Sequence, residues 1–167
     1  MNKIRITLQQ KKSSPTETNI DAISNWLMVF PYSMKKTTKS SYFPYQEKLL
    51  KRQQELDLKK FDTSPVIIDL PNKKSSHVSY AAIEASISSF ELLTLARKLM
   101  AAHSSINPAQ LGLFVYGFNK VESERIAEAL ISATLAAAAE MPKFKSEKQT
   151  ISRLSKLSLF GVRANHG

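Results

Sequence analysis

Cysteine is absent from the 167 residues, and glycine occurs only four times. The first absence excludes a disulfide framework, thiolate metal ligands and a cysteine nucleophile. The second leaves no glycine-rich loop of the kind that cradles the phosphates of a nucleotide. Long apolar runs are missing too, and a bilayer span needs roughly 20 such residues. The opening MNKIRITLQQKK lacks the apolar centre of a secretory signal. Acidic residues are short, with 14 Asp and Glu against 24 Lys and Arg, for a formal net charge of +10. These absences predict a cytoplasmic protein with no membrane segment.

What is present suffices for a core. Apolar residues make up 43% and charged residues 23% of the chain, within the ordinary globular range, so one domain is expected. The basic residues come as pairs (Lys11-Lys12, Lys35-Lys36, Lys59-Lys60, Lys73-Lys74) in segments that read as loops. Charge scattered in this way reads first as a solvated surface, and second as an attraction for acidic partners, nucleic acid included. Specific nucleic-acid binders gather such charge along one helix or stripe with stacking aromatics.

The two halves of the chain differ in texture. In residues 1–75, Ile4, Ile6 and Leu8 alternate with polar residues and predict a strand, followed by a polar loop over 9–19. The run Asn25 to Phe30, stopped by Pro31, suits a buried central strand, although periodicity alone leaves a short helix open. Residues 33–41 read as a loop, and 46–58 as a helix with thin apolar support from Leu49, Leu50, Leu56 and Leu58. Pro65 to Leu70 reads as a strand bracketed by prolines.

The second half is more regular. His77 to Ala85 predicts a strand. Ser88 followed by Glu91 fits a capping box, opening a helix to about His103 whose wide apolar face is made for a sheet. Asn107-Pro108 ends that segment. Leu111 to Phe118, apolar on both faces, predicts a central strand. Asn119 caps the next helix, with Glu122 three residues on, and the helix runs to about Glu140 with Ile126, Leu130, Ala133, Thr134 and Ala137 on one face. A polar stretch over 143–150 leads to a last strand at Leu154 to Phe160, and Gly161 onward reads as a tail. The alternation of strand and helix predicts an α/β fold, a sheet with helices laid on it through right-handed crossovers.

Catalytic patterns are sparse. His77, His103 and His166 have no ligand spacing, and no His-Glu-x-x-His or Gly-x-Ser-x-Gly pattern occurs. Each histidine reads as a surface or helix-end residue, with His103 suited to the dipole at a helix C-terminus. No catalytic, cofactor-binding or metal-binding residue is therefore assigned. The one candidate site is an anion-binding loop, Gly117, Phe118, Asn119 and Lys120, between the central strand and a helix N-terminus; Glu122 and Glu124 close by would oppose a phosphate there. Arg97 reads as solvated or locally paired, Tyr42-Phe43-Pro44-Tyr45 as a loop pinned onto the core, and Trp26 as core.

The stretch Phe90 to Lys148 resembles the end of the N-terminal domain of the leucyl (cytosol) aminopeptidases. The matching pieces are the Ala96-Arg97 pair, the strand at 111–118, the Ala-rich helix and Phe144-Lys145-Ser146; Trp26 to Pro31 is similar to an apolar strand found in some branches of the family. Departures are the Ala, Ser and Thr in place of a helix glycine, and Glu140-Met141-Pro142-Lys143-Phe144 in place of a Tyr-Arg-Phe-Asp-type segment. The resemblance implies a mixed, mostly parallel sheet in a macro-domain-like three-layer sandwich spanning 1–162, with 163–167 a tail or the start of a linker. It further implies a separate C-terminal catalytic domain of the same polypeptide, using two divalent metal ions, zinc or manganese, held partly by an Asn-Thr-Asp-Ala-Glu-Gly-Arg motif that this chain lacks. Cofactors are expected in that domain and none in this chain. The family's enzymes are cytoplasmic hexamers whose N-terminal domain helps subunits meet and in some members contributes to DNA binding. Two other functions stay open at this point: a basic nucleic-acid-binding module, and a macro-like domain holding an ADP-ribose-type ligand.

Overall fold

A computed structural model describes residues 5–36, 42–56, 64–139 and 151–162. Their order is β1 (Thr7–Lys11), α1 (Glu17–Ala22), β2 (Asn25–Pro31), a 3-10 turn (Tyr32–Lys36), α2 (Gln46–Leu56), β3 (Val66–Asp69), β4 (His77–Ile83), α3 (Ser89–Ala101), β5 (Gln110–Val115), α4 (Lys120–Ala139) and β6 (Lys156–Phe160). The six strands form one sheet in the order β1-β6-β5-β2-β4-β3. Every neighbouring pair is parallel except β3 with β4. The expected α/β architecture is therefore present, as a mixed, mostly parallel sheet flanked by helices.

The inner strands of the sheet are buried on both faces, which is why they read as mostly apolar runs rather than alternating ones. On one face Leu27, Val29, Ala81, Ile83, Leu113 and Val115 pack under α3 and α4. On the other, Trp26, Met28, Phe30, Val78, Tyr80 and Phe114 meet Ile20 of α1 and Leu49 and Leu50 of α2. Successive residues of β2 thus serve opposite cores. Gly112 is required by this packing, because its Cα faces Trp26 in register and a Cβ there would lie 2.4 Å from the indole ring.

Helix starts follow the local chemistry. Ser88 Oγ accepts from the Glu91 amide at 3.1 Å, as the sequence predicts. Asn119 and Glu122 form a reciprocal pair, each side chain accepting from the other's amide at 2.8 and 3.0 Å. The small residues Ala127, Ala129, Ala133 and Ala138 give α4 a low-profile buried face.

Several boundaries differ from expectation. The first strand is Thr7–Lys11 and so extends beyond Leu8, while Ile4 lies outside the described residues; the segment 9–19 holds the end of β1 and the start of α1 instead of a loop. An edge strand solvated on both faces needs no apolar alternation, so Gln9, Gln10 and Lys11 extend it by pairing with β6 alone. Helix α1 opens on a capping box in which Thr16 and Asn19 exchange side-chain-to-amide bonds at 3.1 and 2.8 Å. Lys11 therefore ends a strand, and Lys35-Lys36 close a 3-10 turn rather than lying in a loop. Val162 is buried instead of beginning a tail. Leu58, Lys59-Lys60, the 143–150 stretch, Phe144-Lys145-Ser146, His166 and the 163–167 tail lie outside the described residues.

Candidate functional site

In an open α/β sheet, ligands favour the carboxyl ends of strands where the chain order reverses. Here that point lies between β2 and β5, since the chain leaves β2 toward β4 on one side and leaves β5 toward β6 on the other. The predicted loop Gly117 to Lys120 sits there, between β5 and α4. Gly117 has φ +90°, and a Cβ would lie 2.7 Å from the Pro31 ring at the end of β2. The left-handed backbone lets the two strand ends close on each other.

Phe43 lies across the same strand ends, with its ring 5.0 Å from Phe30, 4.9 Å from Phe114 and 5.5 Å from Tyr116, and Tyr42 stacks on Tyr116 at 5.8 Å. The Tyr42 to Tyr45 loop is thus pinned onto the core as expected, with Phe43 buried. The amides of Asn119 and Glu122 are also engaged with each other's side chains, so an anion must displace the Glu122 carboxylate to reach them. Lys120 is exposed.

A second cluster was not predicted. His77 on β4 and His103, just beyond α3, have ring centroids 5.0 Å apart in an edge-to-face arrangement. His77 Nδ1 lies 2.7 Å from Asp69 Oδ1 and its Nε2 lies 3.1 Å from the Ala102 carbonyl. Both partners are acceptors, which fixes the ring between β3 and the end of α3. His103 is fully buried, with Nδ1 2.9 Å from Asn25 Oδ1 and Nε2 3.0 Å from Ser79 Oγ. Burial, with His77 adding repulsion, pulls its pKa from 6.5 to about 4. His103 is therefore neutral at pH 7, and the expectation of an end-of-helix histidine placed for its charge is overturned. Its role is to fill a polar hole between β2, β4 and α3.

The serine, histidine and amide of this cluster have the outline of a nucleophilic triad without its chemistry. The Ser79 hydroxyl has one proton for two acceptors, the Leu99 carbonyl at 2.8 Å and Nε2 of the neutral His103 ring at 3.0 Å, and neither Ser79 nor His103 has solvent access. Among the described residues no group of three His, Asp or Glu could hold a metal ion, and no helix is long and apolar enough to cross a membrane. Arg97 is exposed and Trp26 is fully buried, its indole N–H donating to the Ile23 carbonyl at 2.9 Å.

No protein-family model matches the sequence, and no curated protein matches it. Solved structures do match the fold. The chain is similar to a mutant of tomato leucine aminopeptidase with a TM-score of 0.69 and 15% identity, over 99% of this chain and 34% of that one. It is also similar to the macrodomain of DarG from Thermus aquaticus, with a TM-score of 0.53 and 7% identity, over 92% of this chain and 97% of that one. The fold is macro-domain-like. At these identities the likeness concerns architecture alone. The macro-domain-like chain spans about a third of the aminopeptidase's length, and its own aromatic loop lies over the strand ends at the reversal point.

Proposed function

We propose that this chain is the non-catalytic N-terminal domain of a metal-dependent leucyl aminopeptidase, positioning a catalytic domain and mediating subunit assembly in the cytoplasm. The observation that carries the reading is the extent of the fold likeness: nearly all of this chain superposes on one third of tomato leucine aminopeptidase. The Ala96-Arg97 helix, the 111–118 strand and the Ala-rich helix resemble that family in sequence as well. On this reading the two divalent metals and the bond-breaking step belong to the remaining part of the enzyme, and this domain acts through its outer surfaces.

The purified chain, given manganese or zinc, is expected to leave leucine p-nitroanilide intact. Turnover that tracks the protein through purification would defeat the proposal. The reading frame beyond Gly167 is expected to encode a Lys, Asp and Glu metal-ligand set, and a frame without one would remove the assignment.

A further inference from the structure

The edge strand β1 is exposed along its whole length and pairs on one side only, with β6. The Thr7 amide donates to Ser155 O at 2.9 Å and the Lys11 carbonyl accepts from the Gly161 amide at 3.0 Å. Backbone direction alternates along a strand, so Thr7, Gln9 and Lys11 turn their peptide groups toward β6. Those of Leu8 and Gln10 point outward, where no described residue pairs with them in the sheet. The edge is an open template for one more strand.

The flank of this edge on the α1 side is a groove of about 180 Å³. Its polar lining is Gln9, Lys11, Asn19, Gln110, Lys156 and Ser158, and it contains no carboxylate. Lys156 lies in register with Thr7, four residues from Lys11, so the backbones of the two lysines stand roughly 13 Å apart along the strand direction at 3.3 Å per residue. Arg5 and Lys12, both exposed, extend the positive charge past each end of the strand. Phe160, the aromatic of the groove, is buried with Lys11 Nζ over its ring 5.8 Å from the centroid, which disfavours the stacking of a base and so single-stranded nucleic acid. The opposite flank carries Glu124, Glu128 and Gln10 along a second groove, so the positive charge is confined to one side of the edge.

We propose that β1 and its lysine-bearing groove form a docking site for an extended acidic peptide segment, which adds as a strand to the outward groups of Leu8 and Gln10 and turns its alternate carboxylates toward Lys11 and Lys156. The proposal is independent of the aminopeptidase assignment, because it uses only the edge and its charge.

The probe is a fluorescein-labelled peptide of alternating Glu and Val, followed by fluorescence polarisation with the full chain at 50 mM salt. Saturable binding is expected. It should weaken at least tenfold in the Lys11→Glu/Lys156→Glu double variant. It should also weaken at least fivefold in Gln10→Pro, which deletes one outward N–H and no charge. Circular dichroism melts of both variants must match the parent, and Gln10→Ala serves as the backbone-competent control. Equal binding by Gln10→Pro, or equal binding of an oligothymidylate of the same charge, would reduce the site to unspecific attraction and overturn the proposal. So would concentration-dependent dimers that Gln10→Pro abolishes, since the edge would then belong to a second copy of this chain.

Discussion

The most consequential single residue in the core is His103, because its charge state is tied to folding. In the unfolded chain its imidazole titrates near 6.5, whereas burial brings the folded value to about 4. As pH falls through this interval the unfolded chain takes up the proton first. The stabilisation is therefore complete above about 6.5, declines between there and 4, and is gone below. At 1.36 kcal/mol per unit the loss is at most about 3 kcal/mol. Urea titrations at a series of pH values should show this slope in the parent and a flatter one in His103→Gln. Equal slopes would mean that His103 does not couple folding to pH in this interval. Gly112 is constrained by space instead. An Ala Cβ would meet Trp26 at 2.4 Å inside a fully buried layer, so Gly112→Ala is expected to cost about 3 kcal/mol, the upper end for overpacking, read as a lower urea midpoint.

At the scale of elements, the loop carrying Phe43 closes the ends of β2 and β5. Phe43→Ala removes contacts with Phe30, Phe114 and Tyr116 together and is expected to cost about 3 kcal/mol. A loss below 1 kcal/mol in urea unfolding would show that the ring is not part of the core. With Phe43 in place, calorimetry with ADP-ribose is expected to give no saturable heat. The elements also show where sequence reading succeeds. Strands β2, β4 and β5 announce themselves because burial on both faces leaves mostly apolar residues, and α3 and α4 because long helices repeat their pattern. Strand β1 is mostly polar since no described residue covers it, and α1 is too short at six residues for a period to show. The pair His77 and His103 is illegible for another reason. The 25 positions between them span most of a strand and a helix, and only the packing of α3 against β4 brings the rings together. The contact of Phe43 with Phe30, Phe114 and Tyr116 is equally illegible, because it joins distant segments that no local pattern connects.

At the scale of the whole molecule, the charge of +10 sets an electrostatic balance that salt should reveal. Exposed ion pairs such as Arg52 with Glu55, 3.4 Å apart and each about half exposed, contribute no more than about 1 kcal/mol and lose little on screening. Repulsion among the excess cations opposes the compact state. Raising ionic strength from 10 to 150 mM shortens the screening length from about 30 to about 8 Å, which weakens repulsion between separated charges most. The melting temperature should therefore rise with sodium chloride, by about 2–4 °C for each kcal/mol of repulsion relieved. A fall would mean that attractive pairs outweigh the surplus. The acidic peptide proposed for the β1 edge provides the opposite response from the same charges. Its affinity must drop across the interval in which the free chain gains stability, because screening acts on attraction and repulsion alike. A peptide whose binding is indifferent to salt while the melting temperature climbs is held by the strand edge without its lysines.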